Sequence, residues 1–98
     1  MSELDKIIRK IKKIKPFLKK EFLIKEIGIF GSYARNEQTA KSDIDILVDF
    51  EDEGIGFFKF IDLEDFLNNL TGIKIDLVCK DALKPRIGKQ ILSEVIYL

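Results

Sequence analysis

At 98 residues the chain is long enough for one compact domain with a modest core, and too short for a second independently folding unit. Hydrophobic residues make up 46% and charged residues 35%, and no run of roughly 18 or more apolar residues could cross a bilayer as a helix. A lone cysteine, Cys79, excludes an internal disulfide, and the absence of histidine removes the usual zinc ligand and the usual general base, so any catalysis must rest on carboxylates.

Net charge is zero, yet residues 1–26 hold nine Lys/Arg against four Asp/Glu, which leaves an acidic remainder. A solvated lysine face accounts for that asymmetry as readily as a nucleic-acid or partner surface does. The opening "MSELDKIIRKIKKIK" lacks the unbroken apolar segment of a secretory signal, so the cytoplasm is the expected location. In it, Leu4, Ile7, Ile8, Ile11 and Ile14 recur at helical spacing behind a candidate N-cap, Ser2. Pro16 disfavours helical geometry at Lys15, which predicts a first helix over 3–15 and a second short helical stretch to about Phe22.

"IKEIGIF", Ile24 to Phe30, is short, rich in β-branched residues and closed by Gly31, as expected of a strand running into a turn. "SYARNE" predicts a turn or two of helix and "QTAKS" a polar loop. In "DIDILVDF", Ile44, Ile46, Val48 and Phe50 fall on one face of a strand and Asp43, Asp45, Leu47 and Asp49 on the other. "EDEGIG" is a surface loop, Phe57–Leu70 a helix ended near Gly72, "KIDLVCK" a strand, and "PRIGKQIL" a helix with Pro85 near N1, leading into an extended "EVIYL". This order predicts a single α/β (α+β) domain over 1–98, a small mixed sheet with helices packed mainly on one side.

Positions two apart in a strand point the same way, so Asp43 and Asp45 are expected to project side by side. Such like charges are tolerated when solvated or when a cation neutralises them, and magnesium is commonly held by one or two carboxylates plus substrate phosphates. Alternate strand acids are equally the solvent face of a half-exposed sheet, as Asp49 illustrates. "FGS" at the end of the preceding strand favours the first reading, because glycine permits close backbone approach and the amides that open a helix can cradle phosphate. Asp76 repeats the pattern in "KIDLV", and if its strand adjoins the first, three acids meet.

Gly31-Ser32, ten intervening residues, Asp43-Ile44-Asp45 and the later Ile75-Asp76-Leu77 resemble the signature of the polymerase β-like nucleotidyltransferase superfamily. The string "IFGSYARNEQTAKSDIDILVDF" is similar to that of its minimal nucleotidyltransferases, which read Phe-Gly-Ser, any residue, Ala-Arg-Gly, then Ser-Asp-Ile-Asp, and the likeness spans nearly the whole chain. The resemblance implies catalysis with a pair of Mg²⁺ ions: Asp43 and Asp45 would hold the ion that escorts ATP, and Asp76 would join them around the other and help deprotonate the attacking hydroxyl. It further implies that Gly31 and Ser32 hold the β- and γ-phosphates and that Ser42 orients Asp43. Arg35 would neutralise phosphate charge, although pairing with Glu37 or another carboxylate explains it equally well. Asn36 departs from the family glycine but tolerates the same left-handed backbone.

Minimal nucleotidyltransferases commonly act as the antitoxin of a type VII toxin–antitoxin pair, silencing an all-helical HEPN ribonuclease toxin encoded nearby by transferring AMP to its tyrosine. A non-catalytic module that neutralises the same partner by contact is the alternative. A nucleic-acid module using the lysine-rich helix is a third reading and would show strongly salt-dependent RNA binding; a nucleic-acid partner is not expected, nor is a membrane. Phe57, Phe58 and Phe60 cannot all face the core from one helix; a partner surface with Phe58 exposed and a wide buried face both fit.

Overall fold

The computed structural model describes residues 2–52 and 54–98. Helix α1 spans Glu3–Phe22, its N-terminus capped by the Ser2 hydroxyl, which accepts from the Asp5 amide at 3.1 Å. The helix does not stop at Lys15: Pro16 lies inside it. The proline forfeits one backbone hydrogen bond, but Ile7, Ile11, Leu18 and Phe22 are buried along one stripe that runs past it, and tertiary burial outweighs the local penalty. Pro16 and Lys12, whose carbonyl loses its usual partner, are both exposed, so water can satisfy that oxygen.

Strand β1 (Ile24–Phe30) leads directly into α2 (Gly31–Ala34), followed by β2 (Ile44–Phe50), α3 (Gly56–Thr71), β3 (Ile75–Cys79), α4 (Pro85–Glu94) and β4 (Ile96–Tyr97), with a 3-10 turn at Lys80–Ala82 that the sequence did not announce. The strands form one mixed sheet in the order β3-β2-β1-β4; β1 is antiparallel to β2 and β4, and β2 is parallel to β3. A register irregularity between Ile24 and Glu26 lets Ile24 and Ile27 both turn to the core despite their odd spacing. The expected mixed sheet is therefore present, and α1 and α3 share its core face with Ile27, Ile29, Ile44, Ile46, Val48, Ile75 and Leu77.

Phe17, Phe22 and Phe66 knit α1 to α3, with ring centroids 5.3–6.2 Å apart, and Lys59 bridges to Glu21 at 2.8 Å while lying over the Phe22 ring. Gly72, left-handed at φ 71°, ends α3 as its sequence position suggests. Leu47 is buried as well, but on the opposite face from the main cluster. There Gly28 pairs with Tyr97, and a Cβ at Gly28 would lie 2.6 Å from Val95 Cγ2, so β4 and the end of α4 sit tightly on β1. Phe57 and Phe58 are 70% and 81% exposed at the start of α3, which bears out the exposure expected of Phe58. Glu53, in the predicted "EDEGIG" loop, lies outside the described residues.

Because Pro16 forfeits a hydrogen bond in an unbroken, solvent-facing stretch of helix, Pro16→Ala is expected to stabilise the protein by about 2 kcal/mol. Urea denaturation would show a raised midpoint at unchanged slope; an unchanged midpoint would mean that the helix is interrupted at Lys15 in solution.

Candidate functional site

Sheet register assembles the site. Phe30 is paired with Asp45 across the antiparallel β1–β2 ladder, and Asp45 with Asp76 across the parallel β2–β3 ladder. Register partners share a face, so Asp45 and Asp76 stand side by side on the face opposite the main core, and the residue after Phe30 is Gly31. Three acids are expected to meet if β3 adjoins β2: the strands do adjoin and bring Asp45 to Asp76, while Asp43 stands at the edge of that pair.

Gly31 has φ +73°, and a Cβ built on it would fall 2.0 Å from Asp45 Oδ2. Only glycine fits: the turn backbone lies directly against the carboxylate. Asn36, also left-handed at φ 58°, closes the turn as its tolerance of that conformation predicts, and Tyr33 is buried in the core cluster and anchors α2. Ser32, half-buried, follows Gly31 at the start of α2.

Asp43 stands one residue before β2, where the Ile44 amide bonds to the Lys74 carbonyl at 2.9 Å. Its Oδ2 is 3.9 Å from Lys74 Nζ. Among the described residues no three His, Cys, Asp or Glu side chains are grouped so that they could hold a metal ion by themselves. Three like charges do not converge on each other unaided, and Asp43 leans on Lys74 instead.

The electrostatics record the crowding. Burial, followed by the neighbouring Asp76 carboxylate, a proton-sharing hydrogen bond with it, and Asp43, raises the Asp45 pKa to about 6, against a smaller opposing pull from Arg35. A divalent cation between these oxygens would relieve both the desolvation and the repulsion, so the donor set fits a hard, oxygen-preferring ion such as Mg²⁺.

Two predicted roles meet competing partners. The Ser42 hydroxyl accepts from the Thr39 amide at 2.9 Å and lies 3.4 Å from Thr39 Oγ1, so it braces the polar loop and makes no hydrogen bond to Asp43. Arg35 takes the ion-pair reading: its Nε donates to Glu37 at 3.2 Å, and its Nη1 donates to both Glu94 oxygens at 3.1 and 3.2 Å. Glu94 also accepts from the Gly31 amide at 3.2 Å. Sequence reasoning assigned Glu94 nothing, although it is the only carboxylate in residues 82–98, an isolated acid in a basic and apolar stretch.

An open apolar cavity of about 230 Å³, lined by Phe50, Ile55, Phe57, Phe60 and Cys79 among others, lies at the other end of β2 and β3 from the acids. The carboxylate site is a surface shelf, and this cavity has no part in it.

The sign of the Asp45 effect is testable. With its folded pKa above the ordinary carboxylate value, the metal-free folded state binds a proton the unfolded chain has released, so Asp45 lowers stability as pH rises from about 4 to about 6. Asp45→Asn should therefore stabilise the metal-free protein at neutral pH by roughly 1–2 kcal/mol after allowance for solvent screening, with no gain at pH about 4. Carboxyl NMR should place the Asp45 midpoint near pH 6 without metal and lower with Mg²⁺; a midpoint indifferent to Mg²⁺ would show that the acids do not hold it.

Comparison with known proteins agrees with this geometry. Residues 11–98 match the family model described as nucleotidyltransferase domain. "Putative protein adenylyltransferase MJ0128" of Methanocaldococcus jannaschii is 56% identical over 100% of this chain and 97% of its own length. "Protein adenylyltransferase MntA" of Thermococcus cleftensis is 46% identical over 100% of this chain and 95% of its own. Among solved structures, one described as a "putative minimal nucleotidyltransferase" superposes with TM-score 0.83 at 30% identity, covering 97% of this chain and 95% of its own. Another, described as "the toxin-antitoxin with AMP-PNP", gives TM-score 0.73 at 25% identity over 88% of this chain and 69% of its own. With the Gly-Ser turn pressed against a strand carboxylate that faces a second across a parallel ladder, and with relatives matched end to end, the chain belongs to the nucleotidyltransferase domain family and is a nucleotidyltransferase.

Proposed function

We propose that this nucleotidyltransferase transfers AMP from ATP to a hydroxyl, that of a tyrosine on a HEPN-type toxin encoded nearby, and so serves as an antitoxin in the cytoplasm. The observation that carries the reading is the row Phe30–Asp45–Asp76 with Gly31 against Asp45 Oδ2, which sets the Gly-Ser turn beside a paired carboxylate. A relative named protein adenylyltransferase, and a similar toxin–antitoxin structure described with an ATP analogue, support the nucleotide and the class of partner.

In the proposed reaction the acceptor oxygen attacks the α-phosphorus of ATP, the bond from that phosphorus to the β-bridging oxygen breaks, and pyrophosphate leaves with the electron pair. Ser32, through its hydroxyl and its own amide, would hold the β- and γ-phosphates. Asp43 and Asp45, joined by Asp76, would hold Mg²⁺, one or two ions, which when bound supplies positive charge to the attacking and leaving oxygens. Asp76, exposed in β3 and the outermost of the row, would take the proton released by the acceptor hydroxyl. A phenol titrates near 10, so a tyrosine acceptor needs such help at neutral pH. The exposed Phe57–Phe58 pair, centroids 5.6 Å apart, suits contact with a protein partner.

The test is label transfer from ATP labelled on its α-phosphate, with Mg²⁺ and the product of the neighbouring gene. Wild type should label the partner on tyrosine, and the Asp43→Asn, Asp45→Asn double variant should lose at least about a hundredfold in rate. No transfer by wild type, alongside full neutralisation of the partner by the double variant, would replace this reading with neutralisation by contact.

A further inference from the structure

We propose that Glu94 is a positioning residue for the nucleotide: from outside the site it grips the Gly31 amide and the Arg35 guanidinium, and so fixes the Gly31–Ser32 turn against Asp45 with the Ser32 donors left open for the β- and γ-phosphates. The inference rests on the nucleotide reading above and adds a residue outside the motif to it.

Helix α2 cannot hold its own shape. It has four residues, one i to i+4 bond from the Arg35 amide to the Gly31 carbonyl at 3.1 Å, and a φ +73° glycine at its first position, and an isolated turn of that length is unstable in water. Its placement must come from contacts with the rest of the fold. Tyr33 anchors one side in the core, Gly31 lies against Asp45 of β2, the Glu37 amide bonds back to the Ser32 carbonyl at 2.8 Å, and Glu94 adds the contact from α4: its Oε1 accepts from both the Gly31 amide at 3.2 Å and Arg35 Nη1 at 3.1 Å while Oε2 accepts from Nη1 at 3.2 Å.

Glu94 is itself placed with little slack. It ends α4, and the next residue, Val95, leaves no room for even a Cβ on Gly28, while Ile96 pairs with Ile29 and the Leu98 amide bonds to the Ile27 carbonyl at 2.9 Å. The same strand, β1, therefore carries Gly31 at its end and supports the backbone that presents Glu94. The Glu94 side chain is only 20% exposed, and its bonds to Arg35 are charge-assisted, so the grip is stronger than that of a free surface pair. Loss of Glu94 would free the turn to move relative to Asp45, and misplaced phosphate contacts are costly.

A staple that merely supported the fold would affect all nucleotides alike, whereas a residue acting through the phosphate turn should discriminate by phosphate number. The experiment measures calorimetric affinities of wild type, Glu94→Ala and Glu94→Gln for ATP and AMP, each with Mg²⁺, together with melting temperatures. Glu94→Ala is expected to weaken ATP about tenfold and AMP less than about twofold, and Glu94→Gln, which keeps an acceptor for the Gly31 amide, to weaken ATP about threefold. Equal weakening for ATP and AMP, or a lower melting temperature with unchanged affinities, would reduce Glu94 to a fold staple and overturn the proposal. Tighter ATP binding by either variant would also overturn it, showing Glu94 to be a carboxylate occupying a phosphate position. Should Glu94→Ala not fold, Glu94→Gln decides by the same ATP-to-AMP comparison. Failure of wild type to bind ATP would remove the nucleotide reading itself, a result distinct from wild-type binding that the variants leave unaltered.

Discussion

Asp45 and Asp76 face each other across a parallel ladder, and the cost of that pairing organises what surrounds it. Neither can move away without breaking a register that also aligns Ile44 with Ile75 and Ile46 with Leu77 in the core. A slip of one residue would turn the acids into the core and the isoleucines out, at many times the cost of the repulsion. The apolar face of the sheet thus holds the charged face in an arrangement that the acids alone would abandon. Burial first, and the facing Asp76 carboxylate second, hold the Asp45 pKa up at about 6. A cation bound there, as proposed, would relieve both the burial and the repulsion.

The Gly-Ser turn depends on the same register. Because Phe30 pairs with Asp45, the chain reaches Gly31 at the carboxylate and must turn there, and a missing Cβ is the only way to make the turn without expelling Oδ2. The irregularity at the start of β1 matters for this reason: it lets Ile24 join the core without shifting Ile27 and Ile29, and so without moving Phe30 off its partner.

What could be read in the sequence was what local chemistry dictates. Strand alternation gave the faces of β2, Gly72 and Pro85 marked the ends of helices, Asn36 kept its left-handed turn, and the Gly-Ser and strand-acid motifs singled out Gly31, Asp45 and Asp76, which the fold brings together. What could not be read was decided by partners distant in the chain. Pro16 looked like a stop because its own bonding is poor, yet the buried stripe through Leu18 and Phe22 carried the helix through it. Ser42 looked adjacent to Asp43, but its hydroxyl was nearer to Thr39 once the loop closed. Glu94 had no local pattern at all; its role arises from 63 residues of separation closed by β4 pairing with β1.

The charges around the candidate site bear on which form of a nucleotide it would accept. Asp43, Asp45, Asp76, Glu37 and Glu94 supply five carboxylates, and among the described residues Lys74 pairs with Asp43 and Arg35 with Glu37 and Glu94. Arg35, the natural candidate for a phosphate, already satisfies two glutamates, so its charge is largely spent before a ligand arrives. A free triphosphate, carrying several negative charges, would be repelled by this shelf. In the proposed reaction the same shelf would attract a nucleotide that brings its own divalent ions, because each ion would be drawn to the acids that repel the phosphates. Selection for the metal-complexed nucleotide would then need no dedicated residue. It follows from leaving the acids in excess, and the lysines of α1, most of them exposed on a separate element, do not cancel it.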